Sequence, residues 1–115
     1  MDRVYFLSSC TTCQRILREL PSNNLCQIDV KQQPLLESDV DNLGQLAGSF
    51  EALFNKNAIL FKTLELRNKT LQEPDYKTYL LQHYTFLRRP VFVIGEQIFI
   101  GNKPEVVARI KEILR

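Results

Sequence analysis

Apolar and polar positions recur with two different periods along this 115-residue chain, and the changes of period mark its elements. Arg3 to Leu7 is β-branched and aromatic and ends at Ser8-Ser9, which predicts a short strand. Cys13, Ile16, Leu17 and Leu20 then fall on one face at helical spacing, with Pro21 beyond them. Asn23-Asn24 reads as a turn. Cys26, Ile28 and Val30 alternate with Gln27 and Asp29, which predicts a second strand with the first three facing the core. In the middle, Ser38 is placed to cap a helix carrying Val40, Leu43, Leu46 and Ala47, with Asp41 in its first turn and Gly48 closing it. Ala58 to Leu66 and Tyr76 to Tyr84 predict two more helices, separated by Gln72-Glu73-Pro74-Asp75 within a loose stretch from Asn68. Val91-Phe92-Val93-Ile94, a turn at Gly95-Glu96-Gln97, and Ile98-Phe99-Ile100 spell a β-hairpin. Asn102-Lys103-Pro104-Glu105 then opens a last helix, with Val106, Val107, Ile110, Ile113 and Leu114 expected to face inward.

The order is β-α-β, helices, β-β-α. A parallel pair joined by a helix, followed by an antiparallel hairpin and a covering helix, describes an α/β thioredoxin-like layout with a mixed four-stranded sheet. The length predicts one domain, residues 1–115, with a helical insert at about 37–86 between strands two and three. Fifteen basic residues against thirteen acidic ones leave a net charge of +2. That is far from the clustered excess of a nucleic-acid binder, so no direct nucleic-acid partner is expected. No apolar run approaches the ~18 residues a membrane span needs, and the segment Met1 to Leu7 is too short for a secretory signal. The reading is therefore a cytoplasmic protein without a membrane partner. Three cysteines fit a secreted disulfide framework poorly, which turns attention to redox or metal chemistry.

The candidate chemistry lies in Cys10-Thr11-Thr12-Cys13, at the junction of the first strand and first helix. A helix N-terminus offers unpaired N–H groups and about half a positive charge, so a thiolate at Cys10 is stabilised there and can act as nucleophile. Cys13, one turn on and on the apolar face, is placed to resolve a mixed disulfide. Two packing cysteines, or a zinc site completed by Cys26 and His83, are the competing readings. The zinc reading is short of well-placed ligands, so neither a metal nor a cofactor is expected. Cys26 reads as a core filler of strand two, and His83 as a surface residue of its helix. Arg89-Pro90 opens the third strand. It is either a cis turn or a plain edge-strand proline beside a solvated Arg88-Arg89 pair.

Three motifs together, Cys10-Thr11-Thr12-Cys13, Leu87-Arg88-Arg89-Pro90-Val91 and Gly101-Asn102-Lys103-Pro104-Glu105-Val106, resemble the bacterial ArsC/Spx family over essentially the full length. The resemblance implies a cis peptide at Arg89-Pro90 beside Cys10, with the Arg89 guanidinium near the sulfur and Thr11, Thr12 and Arg88 in support. It also implies one of three jobs. The first is a thiol-dependent reductase regenerated by glutathione, glutaredoxin or thioredoxin. The second is an Spx-like redox-sensing regulator that binds the RNA polymerase alpha subunit. The third is a glutaredoxin- and glutathione-coupled arsenate reductase. Members that reduce arsenate hold the oxyanion with three arginines. This chain keeps Arg89, carries Asn57 (beside Lys56) at the second position, and has no arginine in Ile100-Gly101-Asn102. The Cys10-Thr11-Thr12-Cys13 pair sits closer to the Spx-like branch, although Ser8-Ser9 stands where relatives commonly carry a proline. The first job is the reading carried forward.

Overall fold

Strand-forming residues at Arg3–Phe6 (β1), Cys26–Asp29 (β2), Val91–Ile94 (β3) and Gln97–Ile100 (β4) build a mixed sheet in the order β2-β1-β3-β4. The computed structural model describes residues 2–115; Met1 lies outside the described residues. The helices are α1 (Thr11–Glu19), α2 (Glu37–Ala47), α3 (Ile59–Thr63), α4 (Glu73–Gln82) and α5 (Pro104–Leu114), with 3-10 turns at Glu51–Leu53, Leu66–Asn68 and Tyr84–Phe86. β1 runs parallel to β2, which requires a crossover, and α1 supplies it. β3 lies antiparallel to both β1 and β4. The fold is thioredoxin-like.

Two compact units emerge from this path: the chain up to Gln33 together with Arg89–Arg115, and Pro34–Arg88. In the first, Val4, Ile16, Phe92, Phe99, Val107 and Ile110 form a single cluster. Phe92 stands opposite Val4 on β1 and Phe99 on β4, so one sheet face is continuous under α1 and α5. Phe6, Leu17, Leu20, Leu25, Ile94, Val106 and Leu114 extend it. Ile113, expected to face inward, is 41% exposed, because only one side of α5 meets the sheet. The hairpin closes in two residues, with Ile94 paired to Gln97. Gly95 takes φ +62 at the first central position, a conformation glycine adopts without steric cost, and β4 starts one residue earlier than the pattern implied.

Cys26 departs from expectation: it is exposed rather than a core filler. It is the first residue of an edge strand whose burial rises steadily toward Asp29 and Val30, so the expected in-and-out alternation is not seen and cover is missing at its start. Asp29, on the face expected to be polar and open, is covered, at 9% exposure.

The second unit packs around an aromatic cluster. Phe54 stacks on Phe86 at 5.1 Å and meets Phe61, Tyr76 and Tyr79 edge-on. Helix boundaries here differ from the sequence pattern for identifiable reasons. Leu36, not Ser38, is the N-cap of α2, because the Asp39 carboxylate accepts the Leu36 N–H at 2.9 Å. Asp41 instead pairs with Lys77 at 2.8 Å. The region ending the expected Ala58–Leu66 helix is broken at Glu65, which is left-handed at φ +56. α4 begins at Glu73 because Asp75 accepts the Gln72 N–H and Pro74 occupies the first turn. His83 ends that helix and caps the next turn, its Nδ1 accepting the Thr85 N–H at 3.2 Å.

Gly44 on α2 lies against the Phe50 ring, which a Cβ would meet at 2.6 Å. Gly44→Ala is expected to destabilise the protein by about 1–3 kcal/mol despite alanine's better helix propensity, as overpacking does. Chemical denaturation checks this, and an unchanged or raised midpoint would contradict the packing.

Candidate functional site: a dithiol at a helix N-terminus

Cys10 is the N-cap of α1, with extended backbone at φ −87, ψ 114. Its N–H is held by the Leu7 carbonyl at 3.0 Å and its carbonyl accepts the Gln14 N–H at 3.1 Å. Its sulfur lies at the open end of α1, near the N–H groups of Thr12 and Cys13. An ionised sulfur here takes the place an Asp or Ser side chain fills in other helices. Partial burial pushes the Cys10 thiol up. The N–H of Cys13, the Cys13 thiol, the N–H of Thr12 and the charge of Arg89 together outweigh it, and the net result lies below the ordinary 9.0.

Cys13, the third helical residue, is fully buried. Burial is the main reason its thiol is pushed up to about 11; a backbone hydrogen bond from Leu7 and the charge of Arg89 pull the other way, while Cys10 adds to the rise. One motif thus holds two unlike sulfurs: an accessible one poised to ionise and a covered one kept protonated. Both are free thiols, as is Cys26.

Arg89 is half-buried and its charge acts on both sulfurs. The Arg89-Pro90 peptide is cis and Pro90 is buried, with its carbonyl accepting the Gly101 N–H at 2.9 Å. Of the remaining residues named from the sequence, Thr12 supplies an N–H, and Thr11 is an exposed first residue of the helix. Arg88 belongs to the other unit, where its N–H binds the Leu53 carbonyl at 2.8 Å. It lines a cleft of about 340 Å³ there with Glu51, Phe54, Asn55, Lys56 and Asn57. Among the described residues, no three His, Cys, Asp or Glu side chains are grouped to hold a metal ion. No described helix is long and apolar enough to cross a membrane.

In the sequence Ser8 stands out only as a departure from its relatives' proline, and nothing there gives Ser8, Gln14 or Asp29 a role in the site. The Gln14 side chain donates to the Ser8 carbonyl, and Ser8 Oγ donates to Asp29 Oδ2 at 2.5 Å. A serine two residues before the cysteine was the only available signal, and it reads equally well as plain turn chemistry.

A family model described as the ArsC family matches residues 5–110, from within β1 through most of α5, and includes the whole dithiol. The chain belongs to the ArsC family. Solved structures agree on the fold. An arsenate reductase from Vibrio cholerae aligns at TM-score 0.81 and 21% identity, covering 95% of this chain and 96% of that one. A Staphylococcus aureus protein aligns at 0.78 and 24% identity, covering 95% and 97%. An arsenate reductase-related protein from Brucella melitensis aligns at 0.71 and 21% identity, covering 90% and 88%. At such identities these likenesses bear on the fold alone. A search of curated proteins finds no significant match.

In this ArsC family member the different ionisation of the two sulfurs has a direct readout. In a Cys26→Ser protein, brief labelling with iodoacetamide at pH 7 is expected to modify Cys10 and spare Cys13, as peptide mapping would show. Because the Cys10 thiol lies below 9.0, its labelling rate holds as pH falls through 9 and drops only on passing the lowered value. Equal labelling of both sulfurs, or a Cys10 midpoint at or above 9, would contradict the site.

Proposed function

We propose that this ArsC family protein is a thiol-disulfide reductase in which Cys10 attacks and Cys13 resolves. Family membership supports a thiol-dependent redox protein in general terms, and the opposed ionisation of the two sulfurs carries the specific reading. The Cys10 thiolate attacks one sulfur of a substrate disulfide. That S–S bond breaks, the departing sulfur leaves as thiolate and takes up a proton, and a mixed disulfide forms on Cys10. Cys10 then carries no negative charge, so its hydrogen bond with Cys13 and its repulsion, which both raise the Cys13 thiol, disappear. Cys13 loses its proton more readily at the step where it is needed. Its thiolate attacks Cys10, expels the second substrate thiolate and leaves a Cys10–Cys13 disulfide. Two electrons have passed to the substrate, and two equivalents of an external thiol (glutathione, or the dithiol of a glutaredoxin or thioredoxin) restore the pair.

Arsenate is a poorer fit. An oxyanion of multiple charge calls for several charge-assisted donors, and Lys56, the cation nearest in sequence to Asn57, is already paired with Glu51 at 2.5 Å. The deciding experiment is trapping. Cys13→Ser protein mixed with a model disulfide should accumulate a one-to-one mixed disulfide on Cys10, visible as a mass increase removed by reductant. Absence of that adduct, with exchange proceeding as in the unaltered protein, would reject the two-cysteine mechanism.

A further inference from the structure

Asp29 is the one carboxylate among the described residues that is covered to 9% exposure, and it lies at the end of β2, a different element from the dithiol. Its Oδ2 accepts the Ser8 hydroxyl at 2.5 Å and its Oδ1 accepts the Lys31 N–H at 3.1 Å. The neighbouring backbone is tied down as well, since the Val30 N–H binds the Phe6 carbonyl at 2.9 Å. Asp29 is therefore fixed to β1 at one end and to the loop Leu7-Ser8-Ser9 at the other. That loop holds the Cys10 backbone and the Cys13 sulfur: the Leu7 carbonyl accepts the Cys10 N–H at 3.0 Å, and Leu7 gives a backbone hydrogen bond to the Cys13 sulfur. The Ser8 carbonyl takes the side chain of Gln14, one turn into α1. The Ser8 N–H also donates to the Asp29 carboxylate, so both the side chain and the backbone of Ser8 are tied to β2.

We propose that Asp29 is a positioning residue for the dithiol, acting through Ser8: it locks the strand-to-helix loop so that the Cys10 sulfur stays over the first N–H groups of α1. This rests on the reading of Cys10 as the nucleophile. Asp29 neither touches substrate nor exchanges a proton with either sulfur; its work is geometric. Its carboxyl is held below 3.8, chiefly by the Ser8 hydroxyl against the opposing cost of burial, so it stays ionised throughout the range in which the thiols titrate. The Cys10 sulfur responds to its burial, to the N–H groups of Thr12 and Cys13, to the Cys13 thiol and to the charge of Arg89, and Asp29 acts on it through the loop.

The sign of the effect separates this role from a simple charge effect. Removing a negative charge near a thiol makes ionisation easier and lowers its midpoint. Releasing the loop takes the sulfur away from its N–H donors and raises it. In a Cys26→Ser background, Ser8→Ala and Asp29→Asn are each expected to move the pH midpoint of Cys10 labelling upward by roughly one unit, slowing labelling at pH 7 about threefold to tenfold. Because the Ser8 N–H still reaches Asp29 after Ser8→Ala, the double variant should be no worse than Asp29→Asn alone. Ser8→Thr, which keeps the hydroxyl, should restore the parental profile. An unchanged or lowered midpoint in folded Ser8→Ala or Asp29→Asn protein overturns the proposal, as does additivity in the double variant. Should Asp29→Asn fail to fold, the Ser8 pair decides alone. If the parental Cys10 itself titrates as an ordinary thiol, the reductase reading fails instead, and the comparison between variants shows this separately.

Discussion

Cys10→Ser is expected to reduce disulfide exchange by about three orders of magnitude or more, the scale of losing a nucleophile outright. Serine at this position can still cap α1 and accept the N–H groups of Thr12 and Cys13, so the fold should persist while the chemistry stops. Its hydroxyl does not ionise near neutral pH, and no other group is placed to take over. Cys13 is fully buried and its thiol is held near 11. Cys26 is exposed at the start of β2, apart from the α1 N-terminus. Cys26→Ser should accordingly leave the rate unchanged. A turnover assay with a chromogenic disulfide and excess reductant distinguishes the three variants. Substantial activity in Cys10→Ser, or a collapse in Cys26→Ser, would mean that the working sulfur lies elsewhere.

Phe92→Ala carries the largest expected stability loss, about 3–5 kcal/mol. Phe92 is fully buried on β3, flanked by Val4 and Phe99 on the neighbouring strands and belonging to the cluster that includes Ile16 of α1 and Ile110 of α5. Truncation removes both the transfer energy of the ring and the contacts of its neighbours, and a sheet pinned on both sides cannot collapse into the gap. Since small domains keep only about 5–15 kcal/mol in total, the variant should stand near its unfolding midpoint in modest urea. A measured loss under about 1 kcal/mol would show that the sheet face is not packed as described.

Much of this architecture was legible because local and global preferences agree. The βαβ opening, the hairpin with glycine at its first turn position, and the proline-initiated last helix each carry chemistry that permits few alternatives. The Cys10 and Cys13 pattern was legible for the same reason: only a strand-to-helix junction gives those two spacings their meaning. Legibility failed where burial is decided by position in the sheet rather than along the chain. Cys26 and Asp29 sit three residues apart on one strand, yet the apolar one is open and the charged one is covered. Periodicity tells which face a residue occupies, while an edge strand's cover depends on what the rest of the chain brings to it. Helix ends in the middle of the chain were misread for a related reason. Asp39 and Asp75 choose the starting residue by reaching back to a backbone N–H, and several nearby polar residues offer the same possibility on paper.

The sheet order also bears on how the chain acquires its structure. β1 pairs with β2 after only a short helical crossover, and β3 with β4 across two residues, so both pairs can assemble from local encounters. The central pairing of β1 with β3 must wait until the entire excursion Pro34–Arg88 has been drawn closed. The entropy of that closure grows only logarithmically with length, so a long excursion is tolerated in the final balance. Its effect falls on speed, because a contact distant in sequence is the one that joins the two halves of the sheet.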